Sequence, residues 1–145
     1  MLKVIFLVTY IFGIVVSLQS QKLYSKWLYG DKGTVNLNTT SIFEITPKGD
    51  TSYTVPSDVR FQATVASICD TTGNLLFYTN GISIFGSDHK IIQNGDSINY
   101  GKIWNSLKAK GYLGIQSIQI IPIPNKIAEY YIIHQEYEQN DTGHI

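Results

Sequence analysis

The side chains best suited to chemistry lie in one short segment, Asp70-Thr71-Thr72-Gly73-Asn74. It is rich in carboxylate, amide and hydroxyl oxygens, and oxygens are the ligands that Ca²⁺ takes in proteins. The segment lacks the ligand density of an EF-hand loop, and Asp and Asn also stabilise turns by hydrogen-bonding to nearby backbone. We therefore predict a turn, with calcium binding through Asp70 and Asn74 as the alternative and no other cofactor.

The other side chains that often take part in catalysis are scattered along the chain. The three histidines are His89, His134 and His144. Their separations do not fit the local spacing of a metal motif, and no Gly-x-Ser-x-Gly elbow, P-loop or His-Glu-x-x-His motif is present. Glu136 and Glu138 would share one face of a strand, where such carboxylates are usually just solvated. We predict no catalytic residue.

Cys69 is the only cysteine, which excludes a disulfide within the chain. It stands in an apolar segment, and a cysteine in that setting is usually buried and unreactive. An exported domain of this size without disulfides has to rely on the packing of its core.

Aromatic residues are the candidates for contact with a partner. They make up 12% of the chain, and exposed rings stack on sugars or anchor protein partners, whereas buried rings supply core area. Core and sheet-to-sheet packing is the interpretation we favour for most of them. The candidates for contact are Trp27, Trp104 and Tyr112.

The elements that carry these side chains are predicted to be strands. Gly73 and the pair Asn80-Gly81 are turn signals on either side of residues 75–78. Asn-Gly predicts a type I′ hairpin, in which both residues have positive φ. Because residues 75–78 are apolar on both faces, we expect this strand to have a neighbouring sheet on each side.

Four predicted strands follow one another within residues 64–93, at 64–69, 74–79, 82–85 and 90–93. Such a meander is the unit of a β-propeller blade. The first strand is poor in bulk, with Ala66 and Ser67, which suits the crowded innermost strand of a blade. A β-sandwich also accommodates a small-residue strand beside a large one, so it remains the alternative.

The rest of the chain fits the same all-β class. A second meander begins over residues 116–136, where strands at 116–122 and 129–135 flank a turn with two prolines. Earlier strands are predicted at 26–29 and 41–45, and one or two helical turns at 104–110. The predicted fold is therefore all-β, with four-stranded antiparallel meanders of a β-propeller.

The N-terminus predicts export. Lys3 precedes an uncharged, mostly apolar run at 4–16, and residues 17–20 are polar or small, which is the layout of a secretory signal peptide at residues 1–20. A membrane anchor is the alternative, but this run is short for a span, which needs roughly 20 residues. The mature domain would be residues 21–145, secreted or at the cell surface.

Charge bears on the class of partner. The whole chain has a formal net charge of 0, and removal of the signal peptide takes away one cation and leaves −1. Neither nucleic acid nor, after cleavage, a membrane is therefore an expected partner.

Several of these segments, in this order, resemble those of a known group of proteins. The resembling residues are 27–30 (Trp-Leu-Tyr-Gly), 67–81, the pair Ile84-Phe85, Asn94-Gly95, 116–124 and 130–133 (Tyr-Tyr-Ile-Ile). The group is the secreted, propeller-like surface proteins of Bacteroidetes-type bacteria, often linked to type IX secretion and gliding motility. Phe85 stands where tryptophan is commoner, and Asn94-Gly95 matches only the end of a longer element.

The resemblance covers nearly all of residues 27–133 and implies an exported propeller, but it supplies no catalytic residues. Propellers typically close with 4 to 8 blades, whereas this length suits two or three. We therefore expect the N-terminal part of an incomplete propeller, whose exposed sheet edge pairs with another chain. The expected function is non-enzymatic binding or scaffolding, with a protein or glycan partner. A fragment of a surface glycan hydrolase and a non-functional remnant are the alternatives.

Overall fold

Strands form where β-branched and aromatic residues cluster between turn residues. The computed structural model describes residues 22–30, 39–98 and 100–135. Its strands are β1 (Lys26–Gly30), β2 (Thr39–Thr46), β3 (Gly49–Pro56), β4 (Ala66–Cys69), β5 (Leu75–Thr79), β6 (Ile84–Gly86), β7 (Ile118–Pro122) and β8 (Tyr130–His134). A short helix, α1 (Lys102–Leu107), lies between β6 and β7. The predicted signal peptide at 1–20 lies outside the described residues, as do Glu136, Glu138 and His144.

The strands form three antiparallel sheets in chain order. The first sheet is β1-β2-β3, the second is β4-β5-β6 and the third is β7-β8. The first two sheets are three-stranded meanders and the third is a hairpin, because every strand pairs with the one that follows it in the chain. The all-β class predicted from the sequence is confirmed.

The first sheet contains a strand that the sequence pattern did not predict. β3 is polar and almost wholly exposed, so it lacks the apolar alternation that marks a half-buried strand. It forms because it pairs with β2 along its whole length, from Thr46 opposite Gly49 to Thr39 opposite Pro56. Glu44 of β2 is partly covered, and its carboxylate lies 3.1 Å from the Lys26 ammonium.

The turn after β5 differs from its prediction. Four residues, 80–83, join β5 to β6. Gly81 has φ +82°, but Asn80 does not have a positive φ, and a type I′ turn requires one at both positions. The type I′ prediction is wrong because the Asn80 side chain builds the turn instead. Its Oδ1 accepts hydrogen bonds from the N–H groups of Ile82 and Ser83, both at 3.0 Å.

The strand predicted at 90–93 is reduced to a single bridge between Ile91 and Phe85. Two backbone hydrogen bonds, of 2.9 and 3.1 Å, still hold this segment beside β6. Its extended part is short because His89 and Asn94 at its ends have left-handed backbones, with φ of 63° and 59°.

The third sheet follows its prediction closely. Strands at Ile118–Pro122 and Tyr130–His134 flank a turn in which Asn125 has φ 62°. The predicted helical segment is also present, as α1. The described residues contain no helix with the length and apolar character that a membrane span requires.

The sheets pack face to face, with β5 in the middle. On one face, Tyr78 lies in a buried cluster with Leu28 and Ile42 of the first sheet. On the other face, the Phe77 ring meets the Tyr130 ring of β8 edge-on, with centroids 5.1 Å apart. The prediction that this strand has a neighbour on each face is confirmed, although residues 75–77 are only half-buried.

The first strands of the three sheets lie next to each other. β4 contacts both β1 and β7. The Ser67 hydroxyl donates to the carbonyl oxygen of Lys26 at 2.6 Å, and the N–H of Cys69 donates to the carbonyl oxygen of Leu23 at 2.7 Å. These two bonds attach β4 to the first residue of β1 and to the segment just before β1.

Candidate binding groove

The Asp70 carboxylate is held by its own loop. Its Oδ1 accepts hydrogen bonds from the backbone N–H groups of Thr72 and Asn74, at 2.8 and 2.9 Å, and from the Thr72 hydroxyl at 2.6 Å. Its Oδ2 accepts one from Nδ2 of Asn74 at 3.0 Å. Asn74 thus presents amide hydrogens, not its oxygen, to the carboxylate. Calcium would have to displace these bonds, so the arrangement favours a turn.

These hydrogen bonds hold the pKa of Asp70 well below its usual range, and the bond from the Thr72 hydroxyl contributes most. The folded chain therefore binds this proton less readily than the unfolded chain does. The resulting stabilisation is present above the ordinary pKa of 3.8 and is lost as the pH falls below it.

A groove of about 400 Å³ lies where the first strands of the three sheets meet. Tyr24 and Trp27 form its wall on the β1 side, Val65 and Ala66 lie at β4, and Ile121 lies at β7. Ala66 is small, and we attribute the open space over β4 to this lack of bulk. We call this feature the first-strand groove.

The two aromatic rings of the groove are exposed and fixed. Trp27 is 59% exposed and Tyr24 is 51% exposed. The indole Nε1 of Trp27 donates to the carbonyl oxygen of Tyr24 at 2.8 Å, and the Tyr24 hydroxyl donates to the carbonyl oxygen of Ile120 at 3.0 Å. Since backbone carbonyls satisfy the polar atoms, the rings offer apolar faces in a preorganised position.

Polar groups border this apolar surface. Gln119 of β7 lines the groove and is exposed, and its amide has no hydrogen-bond partner among the described residues. The Ser67 hydroxyl also lines the groove and keeps acceptor capacity beyond its bond to Lys26. An apolar floor with a few polar groups at its border is the usual make-up of a ligand site.

The other two predicted contact aromatics lie elsewhere. Tyr112 is 3% exposed and packs with Ile82 and Leu107 in a second buried cluster. It is therefore a core residue, and its prediction as a contact residue is wrong. Trp104 is half-buried beside that cluster, under the ring of Tyr100 and the ammonium of Lys108, which lies 5.2 Å from the indole centroid.

Cys69, His89 and His134 do not form a common metal-binding cluster. Cys69 is fully buried, as predicted, and His134 is exposed. In the described ranges, no three His, Cys, Asp or Glu side chains come close enough together to hold a metal ion.

His89 belongs to a pair with a buried tyrosine. The Tyr78 hydroxyl lies 3.1 Å from Nδ1 of His89, and burial raises the pKa of Tyr78 to about 12. Burial also lowers the pKa of His89, against the opposing effect of the Asp88 carboxylate. Because the folded chain resists protonation of His89, acidification below the ordinary pKa of 6.5 favours the unfolded chain.

Of the residues that form the groove, the sequence indicated only Trp27. Tyr24, Val65, Gln119 and Ile121 carry no motif, and they meet only because three separate sheets bring their first strands together. The one available signal was the lack of bulk in β4.

No protein-family model matches the chain, and neither a curated protein nor a solved structure shows significant similarity to it.

Proposed function

We propose that this chain is an exported, non-enzymatic binding or scaffolding module at the cell surface, built from propeller-type blades, and that it binds its partner in the first-strand groove. The observation that carries the proposal is the pair of fixed, exposed rings of Trp27 and Tyr24 over a concave apolar floor. A protein or a glycan is the expected partner.

The arrangement of the sheets supports propeller-type blades. The first two sheets are three-stranded meanders and the third is a hairpin, all in chain order. Successive sheets meet at their first strands, β1 with β4 and β4 with β7, as blades do around a propeller axis. The second sheet also has a sheet on each face, through Tyr78 and Phe77.

The outer side of the second sheet is compatible with this proposal. A four-stranded blade needs a strand beyond β6, and residues 90–93 run along β6 with one bridge at Ile91. We propose that this segment is the irregular fourth strand of a blade. The resemblance to propeller-like surface proteins of Bacteroidetes-type bacteria points in the same direction. We also propose that an exposed sheet edge of this chain pairs with another chain.

A glycan chain fits the groove chemically. Sugars present an apolar face to an aromatic ring and hydroxyl groups to polar neighbours, and the groove offers Trp27 and Tyr24 beside Gln119 and Ser67. Rigid rings order few side chains on binding, which favours affinity. We therefore take a neutral oligosaccharide as the first probe.

The test is a calorimetric titration of the purified chain with laminarihexaose and cellohexaose, with reducing ends assayed in the same samples. We expect binding without release of reducing ends. Trp27→Ala should abolish binding, whereas Tyr100→Ala, which removes a ring that is 77% exposed but outside the groove, should not. Release of reducing ends would refute the non-enzymatic assignment. Equal binding by the wild type and Trp27→Ala, or no binding of either sugar, would refute the groove as a glycan site.

Export has its own test. A C-terminally tagged copy of the whole chain, expressed in a Bacteroidetes-type host, should appear at the cell surface or in the medium, where added protease reaches it in intact cells. A tagged chain that stays protected inside intact cells would refute export.

A further inference from the structure

A second cavity is lined by residues that do not line the first-strand groove. Its volume is about 470 Å³, and residues from three separate segments line it, at 58–60, 80–91 and 108–109. Its charged or titratable lining residues are Asp58, Arg60, His89, Lys90 and Lys108. We call it the basic cavity.

The basic cavity carries an excess of positive charge. Arg60, Lys90 and Lys108 are cationic, while Asp58 is the only acid in the lining. In the part of the chain that the structure describes, none of these three cations forms a salt bridge. The neighbouring Asp88 uses its Oδ1 to accept the backbone N–H of Lys90 at 3.1 Å. The lining residues therefore carry a charge of +2 with His89 neutral, and the charge is +1 when the neighbouring Asp88 carboxylate is included, in a chain whose net charge is 0.

The wall of the cavity is built by side chains that already have partners. The Asn80 amide donates to the carbonyl oxygen of Arg60 at 2.9 Å, and its oxygen accepts two backbone N–H groups of the following turn. The Ser83 hydroxyl donates to the carbonyl oxygen of Asp96 at 3.0 Å. The backbone of Arg60 is thus fixed at the cavity, while its guanidinium has no hydrogen-bond partner among the described residues.

An apolar surface completes the lining. Val59 and Phe85 belong to the buried core cluster and also line the cavity, and Ile91, which is 51% exposed, lies beside them. Cations at the border of a cavity with an apolar back wall suit a ligand that is partly apolar and carries a negative charge.

We propose that the basic cavity is a binding site for a compact anionic ligand, namely a sugar unit that carries a sulfate or carboxylate group. The cavity volume lies within the roughly 300–1,000 Å³ typical of small-ligand sites. Arg60 and Lys90 bind the oxyanion, with Lys108 at the border, and the apolar wall contacts the ring. This proposal is independent of the first-strand groove, because the two sites share no lining residue.

The two tryptophans report on the two sites separately. Trp104 lies under the Lys108 ammonium, 5.2 Å from its ring centroid, whereas Trp27 lies at the first-strand groove. A ligand in the basic cavity that draws Lys108 toward its oxyanion should shift the indole N–H signal of Trp104 in an NMR spectrum. It should leave the indole signal of Trp27 unchanged.

The test titrates the ¹⁵N-labelled chain with glucuronate, glucose 6-sulfate and glucose, and measures Kd by NMR at low salt. We expect both anionic sugars, or one of them, to bind and shift Trp104, while glucose does not. The two anionic arms distinguish a carboxylate ligand from a sulfate ligand. Binding should weaken as NaCl is raised, because salt screens the attraction.

Matched variants test the residues. Arg60→Gln and Lys90→Gln should each raise Kd by about tenfold or more, since a hydrogen bond between charged groups contributes that much. Lys48→Gln, which removes an exposed cation in the β2–β3 turn, should leave Kd unchanged. Equal binding of glucose and the anionic sugars, no binding of either anionic sugar, or unchanged Kd in both cavity variants would overturn the proposal.

Discussion

Two buried threonines allow a matched test of how a hydrogen bond to a buried hydroxyl group affects stability. Thr40 in β2 and Thr79 in β5 are both 0% exposed. The Oγ1 of Thr79 accepts a hydrogen bond from the backbone N–H of Gly81 at 3.0 Å. The Oγ1 of Thr40 is buried and has no hydrogen-bond partner among the described residues. Replacement by valine keeps the β-branched shape at both sites, so the two variants differ mainly in the hydrogen bond.

The two substitutions should act in opposite directions. Burial of an unpaired hydroxyl costs about 1–3 kcal/mol in proteins, so Thr40→Val should raise the free energy of unfolding by about 1 kcal/mol or more. Thr79→Val removes a hydrogen bond and leaves the buried N–H of Gly81 without an acceptor, which should lower the free energy by about 1–3 kcal/mol. The variants should therefore differ by at least about 2 kcal/mol.

Urea unfolding followed by tryptophan fluorescence measures both changes. The midpoint should rise for Thr40→Val and fall for Thr79→Val at constant m, since neither change alters the surface exposed on unfolding. Thermal unfolding should show the same order, with about 3–4 °C for each kcal/mol in a domain of this size. A loss of stability in Thr40→Val as large as that in Thr79→Val would refute the reasoning, because it would mean that the Thr40 hydroxyl has a partner.

Two further predictions follow from the pKa shifts and the glycines. The free energy of unfolding should decrease as the pH falls below 6.5, since the unfolded chain takes up the His89 proton first, and again below 3.8, where Asp70 acts in the same way. In urea titrations at a series of pH values, His89→Asn should remove the decrease in the free energy of unfolding below pH 6.5, and Asp70→Asn should remove the decrease below pH 3.8. A decrease that is unchanged in the matching variant would contradict the assignment. Gly81→Ala should destabilise by about 2–4 kcal/mol, because a new Cβ would lie 2.6 Å from the Tyr112 Cβ at a backbone with φ +82°. Gly49→Ala, with φ +125° and open space, should cost the backbone strain alone, about 1–2 kcal/mol, and equal losses in thermal unfolding would argue against the close contact.

The sequence predicts the strands whose side chains are apolar. The segments around β4, β5, β7 and β8 carry β-branched and aromatic runs between turn residues, and the structure has strands in each. β3 was not predicted because its residues are polar and exposed. Such a strand forms because it pairs with β2, not because of its own residue pattern. The turn at Asn80 was predicted in place but not in type, since a side-chain acceptor competes with the hairpin backbone there.

The candidate sites were much less predictable than the strands. The cations of the basic cavity are far apart in the sequence, at Arg60, Lys90 and Lys108. No local run of basic residues therefore predicts the cavity. The net charge describes the whole chain and does not reveal such local excess. The groove likewise depends on three sheets, and sequence periodicity describes one strand at a time.

One property of the sequence accounts for both the packing of the second sheet and the position of the groove. β5 carries large side chains on both faces, and these fill the spaces toward the first and third sheets through Tyr78 and Phe77. β4 carries Ala66 and Ser67 at the place where the first strands converge, so they can approach one another without filling the space above them. The gradient from small to large side chains across adjacent strands thus produces contact between sheets at β5 and an open surface at β4. The groove is for this reason a consequence of the same pattern that orders the sheets. A larger side chain at position 66, in place of Ala66, would weaken ligand binding in the groove more than it would lower the stability of the core around Tyr78.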